Sequence, residues 1–193
     1  DDEEARRTYA WVLTYLVVVT TWVATALTLL SPWLVRLLTK PAFSDASRVV
    51  GPLVFAAVAF AGYIVIAIGV GRARRTQFNW VITGAAAAVN VALNLALIPP
   101  YGMMGAAIAT VAAYTVMGAG MAWWSQRIYP VPYQWRRVAT AALVGVALAV
   151  TGKLAGGGLV VAIPLAVVYP LALLPAGFYL PVERKRLRAL VAR

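Results

Sequence analysis

The sequence contains no cysteine and no histidine. Without cysteine the chain forms no disulfide and carries out no thiol chemistry. Without histidine it lacks the commonest metal ligand and the side chain that titrates most readily near neutral pH. Phosphate-binding glycine loops and nucleophile motifs are also missing. We therefore expect neither a metal site nor a bound cofactor.

Acidic residues are scarce as well, since six Asp and Glu stand against 17 Lys and Arg. Beyond the opening "DDEE", the only acids are Asp45 and Glu183. Enzymes that use general acid–base catalysis, and most ion-coupled exporters, place a carboxylate at the working site. No apolar segment of this chain contains one, so we expect no enzymatic activity.

Apolar residues dominate what remains, at 63% of the sequence with only 12% charged and a mean hydropathy of +0.82. A bilayer crossing takes about 20 apolar residues. The sequence therefore predicts an all-α polytopic membrane protein with six transmembrane helices within residues 9–180. We place the spans at 9–38, 49–71, 78–99, 103–126, 138–155 and 159–180.

Basic residues divide unequally between the two faces that these six spans define. One face holds 13 of them, namely Arg6, Arg7, Arg72, Arg74, Arg75, Arg127, Arg136, Arg137, Arg184, Lys185, Arg186, Arg188 and Arg193. The other face holds four, namely Arg36, Lys40, Arg48 and Lys153. The positive-inside rule then places both termini in the cytoplasm. The net charge of +11 is explained by this bias, and we expect no nucleic-acid partner.

Both ends of the chain are expected outside the bilayer. Residues 1–8 are interpreted as a cytoplasmic segment, and the acidic start indicates the end of an upstream region. Residues 181–193 are interpreted as a basic cytoplasmic tail. Trp22 is the one tryptophan that falls near the middle of a span rather than near its end.

Residues 90–110, "NVALNLALIPPYGMMGAAIAT", carry the most specific pattern. Asn90 and Asn94 are four residues apart and lie on one helix face, where an amide needs a partner. The double proline at 99–100 is expected to end that helix. Small residues then open the next helix and favour close helix packing, and they are Gly102, Gly105, Ala106 and Ala109.

Together with "LTLLSPWLVRLLTKPAFSDASRVVGPL" and "YIVIAIGVGRARRTQFNWVITGAAAAVNVALN", this pattern resembles the C-terminal half of bacterial polysaccharide flippases. These are the O-antigen and exopolysaccharide translocases of the multidrug/oligosaccharidyl-lipid/polysaccharide exporter superfamily. The resemblance covers roughly residues 10–128. It implies a helical transporter whose two lobes rock about a central cavity, with the six transmembrane helices of this chain forming about one lobe. It also implies a polyprenyl-diphosphate-linked oligosaccharide as substrate, and an N-terminal lobe of the same protein as partner.

A diphosphate and sugars call for cations, amides and aromatic rings. The candidate substrate-binding residues are Arg36, Tyr63, Arg72, Arg74, Arg75, Asn90, Asn94 and Tyr114. Each has a simpler alternative. Arg36 can reach the outer interface, the loop arginines can act only as orientation signals, and the amides and tyrosines can serve helix packing.

Two other functions remain open at this point. The chain can belong to a multidrug or small-molecule exporter of the same superfamily, which would keep an ion-coupling carboxylate in the other lobe. It can also be a subunit of a polysaccharide synthase complex that transports nothing itself. In each case the expected location is a bacterial or archaeal plasma membrane.

Overall fold

The computed structural model describes residues 2–156 and 158–179, and all the regular structure in these ranges is helical. The all-α prediction is therefore confirmed for the described residues. Single 3₁₀ segments precede the second and third α-helices, at Pro41–Ala46 and Thr76–Phe78. The α-helices are α1 (Asp2–Leu38), α2 (Ser47–Arg72), α3 (Asn79–Tyr101), α4 (Met103–Ile128), α5 (Trp135–Leu154) and α6 (Leu159–Ala172).

Five of these helices, α1 to α5, are long and apolar enough to cross a membrane. The described chain thus has the architecture of a helical membrane protein. α6 has 14 residues, which at 1.5 Å per residue is about 21 Å and shorter than a hydrocarbon core of about 30 Å. The predicted span 159–180 is helical only to Ala172, residues 173–177 form turns, and residues 178–179 have no regular structure. Leu180 and the predicted tail at 181–193 lie outside the described residues.

The first helix extends further than the span placed at 9–38, because residues 2–8 continue it without a break. Side-chain pairs one turn apart support this extension: Arg6 pairs with Asp2, and Arg7 with Glu3, each at 3.2 Å. Acidic residues also favour the first turn of a helix, where the backbone N–H groups have no partner. Residues 2–8 of the segment interpreted as cytoplasmic are therefore helical and continue into α1, and their cytoplasmic location stays a prediction.

The break between α3 and α4 lies at Gly102 and not at the two prolines, so the expectation that Pro99 and Pro100 end the helix was wrong. α3 continues through both prolines to Tyr101. Proline already has a helical φ, and each of the two prolines removes only one hydrogen bond, to the carbonyl four residues earlier. Gly102 has φ +54°, a left-handed value that glycine adopts without strain, and this residue turns the chain into α4.

Neighbouring helices form a row rather than a closed ring. α3 packs against α4, α4 against α2, and α2 against α1, while α1 also packs against α5 and α6. In the described chain α5 makes no comparably extensive contact with α2 or α4. α1 and α2 therefore form the centre of the bundle, and α4 and α5 project from it on the same side.

Two prolines inside helices are accommodated by side-chain donors. Proline lacks an N–H group and leaves the carbonyl four residues earlier without its helical partner. Pro32 leaves the Thr28 carbonyl without a backbone donor, and the Ser31 hydroxyl donates to this carbonyl at 2.9 Å. Pro170 leaves the Ala166 carbonyl without a backbone donor, and the Trp22 indole N–H donates to this carbonyl at 2.7 Å. This contact explains the mid-span position of Trp22.

We expect Trp22→Phe to lower the free energy of unfolding by about 1 kcal/mol, because it leaves the Ala166 carbonyl without a donor where water is excluded. Unfolding in mixed detergent micelles measures the difference. Trp80→Phe is the matched control, since Trp80 lies on α3 with 74% of its surface exposed. Equal losses in the two variants would contradict a specific role for the indole N–H.

Small residues bring α5 into close contact with α1. A Cβ atom added at Gly145 would overlap the Thr21 methyl group and lie 2.9 Å from the Thr25 hydroxyl. A Cβ atom at Gly152 would overlap Leu29. The Thr25 hydroxyl is also 3.3 Å from the Gly145 carbonyl, across the helix boundary. The α1–α5 interface therefore depends on the absence of side chains at two glycines.

Candidate functional site

A furrow runs along the bundle between α4 and α5, with α1 and α2 as its floor. It consists of two adjoining cavities of about 320 and 390 Å³ that share Phe55. Successive turns of the same four helices line both cavities. We call the first the Tyr63 cavity and the second the Lys153 cavity, after the residues that distinguish them. The furrow follows directly from the helix order, because α5 packs on α1 and leaves α4 uncovered on this side.

The Tyr63 cavity has an aromatic wall. Tyr63 on α2 and Tyr114 on α4 both line it, and both contact the Phe60 ring, with centroids 5.9 and 5.1 Å apart. Trp135 at the start of α5 lines the opposite side. Small residues, Gly62 and Gly118 among them, keep the space between these rings open. Two of the candidate substrate-binding residues, far apart in sequence, are thus brought into one cavity.

The Lys153 cavity lies toward the other end of the bundle. Apolar side chains form most of its lining, with Thr28, Gly51, Pro52, Phe55, Ile108, Val111, Val146, Ala149 and Val150 around it. Lys153, in the last turn of α5, is the one charged side chain among the described residues that line either cavity.

The three loop arginines proposed as diphosphate ligands are at the end of the bundle that carries the N-terminus, and none lines the furrow. The Arg72 Nε donates to the Asp2 carboxylate at 3.1 Å. Arg74 adopts φ +52° in the turn, and the Arg75 carbonyl accepts from the Trp124 indole at 3.4 Å. The two hydrogen bonds hold the loop between α2 and α3 against α1 and α4.

The Asp2 carboxylate also accepts a hydrogen bond from the Tyr129 hydroxyl, at 2.9 Å. Burial, and then this hydrogen bond, raise the pKa of Tyr129 above its ordinary value. The Arg6 guanidinium lies 4.6 Å from the centre of the same ring and donates to the Pro130 carbonyl at 3.3 Å. Asp2 therefore ties the start of α1 to α2 and to the connection between α4 and α5.

Arg36 is at the opposite end of the bundle, exposed in the last turn of α1. It lines a separate cavity with Thr39, Lys40, Pro41 and Ser44, and its guanidinium lies 5.6 Å from the Trp33 ring centre. More than 20 residues of α2 separate the end of the bundle that holds Arg36 from the end that holds Arg72. The candidate cations therefore do not converge on one site.

Asn90 and Asn94 bind each other. The Asn94 Nδ2 donates to the Asn90 Oδ1 at 2.9 Å, which satisfies one group of each amide within α3. The Asn94 Oδ1 is buried and accepts no hydrogen bond from any residue in the described ranges. Neither amide is among the described residues that line the furrow. Their contact with sugar hydroxyls stays a prediction.

The small residues after the turn have different environments. A Cβ atom at Gly105 would overlap the Leu97 carbonyl oxygen, so α4 meets the α3 backbone here. A Cβ atom at Gly102 would meet nothing within 4 Å, so this glycine acts through its φ angle. Ala109 is fully buried and Ala106 is half-buried.

Two features escaped the sequence interpretation. Gly145 and Gly152 lie outside residues 10–128, which carry the resemblance, and the sequence analysis did not single them out. The stretch "GVALAVTG" nevertheless repeats small residues at helical spacing. Arg137 was counted with the loop charges, yet it is 8% exposed and its guanidinium lies 4.3 Å from the Phe178 ring centre and 5.4 Å from that of Trp11. No sequence signal indicated that environment, because the aromatic partners come from α1 and from the turns after α6.

Comparison with protein-family models, curated proteins and solved structures found no match. Within residues 2–156 and 158–179, no three His, Cys, Asp or Glu side chains group in a way that could hold a metal ion. What the described chain defines is a helical membrane bundle with one aromatic and largely apolar furrow.

Proposed function

We propose that the chain is the C-terminal lobe of a flippase that moves polyprenyl-diphosphate-linked oligosaccharide across a bacterial or archaeal plasma membrane for cell-surface polysaccharide synthesis. In this proposal α6 and the residues after it complete a sixth crossing. Both termini of the segment are cytoplasmic, as the uneven distribution of basic residues favours. An N-terminal lobe of the same protein faces the furrow.

The furrow is the observation that carries the proposal. It extends along four of the membrane-length helices and is open on one side, where a second lobe would close it into a path. Tyr63, Tyr114 and Trp135 line one of its two cavities, and aromatic rings with polar tips suit a ligand that is apolar on its faces and polar at its edges. Sugar rings have this character. The prenyl chain would remain in the lipid.

We expect the double variant Tyr63→Leu and Tyr114→Leu of the complete protein to slow translocation about fivefold to 150-fold, since each of the two aromatic contacts contributes about 0.5–1.5 kcal/mol. The measurement is the rate at which a fluorescent polyprenyl-diphosphate oligosaccharide becomes accessible to an enzyme outside proteoliposomes. Tyr101→Leu is the control, because Tyr101 is 61% exposed at the end of α3. Wild-type protein that moves no such lipid would disprove the proposed function itself.

A second candidate, a multidrug or small-molecule exporter, is favoured by one specific observation. The furrow lining is apolar except for a few hydroxyl groups and Lys153, and the candidate arginines lie outside it. A lipophilic molecule fits such a lining without a diphosphate site. Ion-dependent efflux of lipophilic cations from the same proteoliposomes, with no movement of the lipid-linked sugar, would establish this function instead.

A further inference from the structure

Lys153 reaches across the end of the furrow. It stands on α5, yet its ammonium nitrogen lies 3.4 Å from the point where a Cβ atom on Gly51 of α2 would be. The side chain therefore points over the cavity toward α2, although it is close enough to the end of α5 to point away from the protein. Gly51 has no side chain, and this leaves room for the ammonium group.

The charge of Lys153 is not balanced by a carboxylate in the described chain. Asp45, the acidic residue nearest in sequence to Gly51, pairs with Arg48 at 3.5 Å. The Thr28 hydroxyl beside the cavity donates to the Ala24 carbonyl at 2.7 Å. An ammonium group above an apolar cavity at membrane depth needs an anion or water to be stable.

We propose that the Lys153 cavity binds an anionic phospholipid, with the phosphate on the Lys153 ammonium and one acyl chain along the apolar lining. This site lies within the furrow, but its test measures lipid binding and not transport, so the proposal does not depend on what the furrow moves. Charge complementarity selects the anion, because a single cation stands at the mouth of the cavity. The position of Lys153 in the last turn of α5 places the phosphate near a helix end, where lipid headgroups lie.

The volume and the apolar lining of the cavity fit one acyl chain. Its volume of about 390 Å³ is toward the small end of the range for ligand sites, about 300–1,000 Å³. Phe55, Ile108 and Val146 come from three different helices and surround the space with aliphatic and aromatic surface. An acyl chain matches this lining, whereas a free phosphate would leave it empty.

Native mass spectrometry of the full chain, titrated in detergent with phosphatidylglycerol or with phosphatidylcholine of identical chains, tests the site. We expect preferential binding of phosphatidylglycerol, and binding about fivefold weaker in Lys153→Gln, the loss of one lysine–lipid attraction. Lys153→Arg should retain the preference. Lys40→Gln is the matched control, because Lys40 is exposed at the same end of the bundle but lies outside the furrow.

A steric variant tests the acyl-chain half of the proposal. Val150 lines the cavity and is 51% exposed, so Val150→Trp fills the space without disturbing the core. We expect it to weaken phosphatidylglycerol binding while Lys153 is intact. Equal binding of the two lipids, or unchanged binding in Lys153→Gln, would overturn the site. Unchanged binding in Val150→Trp would overturn the seated chain and leave only a surface charge.

Discussion

Replacing Gly145 with leucine is expected to separate α5 from α1 and to lower the free energy of unfolding by about 3 kcal/mol or more. A Cβ atom alone at this position overlaps Thr21 and lies within 3.4 Å of Tyr169. Thr21 and Tyr169 are themselves fully buried and have no space to move into. The rest of a leucine side chain cannot enter the interface unless the helices move apart.

Unfolding in mixed detergent micelles and the yield of monodisperse protein measure this effect. Gly84→Leu is the matched control, because a Cβ atom at Gly84 on α3 meets nothing within 4 Å. Leucine also favours helix more than glycine does, so the control should be as stable as the wild type or slightly more so. A Gly145→Leu protein with wild-type stability would contradict the tight α1–α5 interface.

The class of fold was predictable from the sequence because hydrophobicity in a bilayer acts locally. Runs of about 20 apolar residues specify helices whatever their neighbours are, and α1 to α5 correspond to the predicted spans. The ends were less predictable. Pro99 and Pro100 were expected to stop α3, but each has a helical φ and removes a single hydrogen bond, so the helix continues to Tyr101 and Gly102 makes the turn. The count of six spans stays a prediction.

The candidate site was predictable only in part, because it depends on which helices pack together. Tyr63 and Tyr114 were singled out as separate polar side chains, and their common contact with Phe60 results from the packing of α2 on α4. The sequence pointed to Arg36 as a cation inside a span. Nothing in the sequence distinguished Lys153, because its position over Gly51 depends on α5 lying beside α1.

Ala119→Trp in the complete protein is expected to reduce translocation at least about tenfold while the fold stays intact. Ala119 is exposed on α4 and lines the Tyr63 cavity, so an indole there occupies the furrow without replacing a buried side chain of the core. An indole placed in a cavity of about 320 Å³ narrows the space that is left for a sugar ring. A tenfold loss of rate corresponds to a barrier that is higher by about 1.4 kcal/mol, and the steric obstruction needs to raise the barrier only by that amount.

Ala87→Trp provides the control, because Ala87 is exposed on α3 and does not line the furrow. Equal yield and equal thermal unfolding of the two variants would show that each folds. If Ala119→Trp blocks both the lipid-linked oligosaccharide and lipophilic cations, the furrow is the path whichever of them the wild type moves. If the folded variant transports at the wild-type rate, the path lies elsewhere, and the aromatic wall of Tyr63 and Tyr114 serves only to pack α2 against α4.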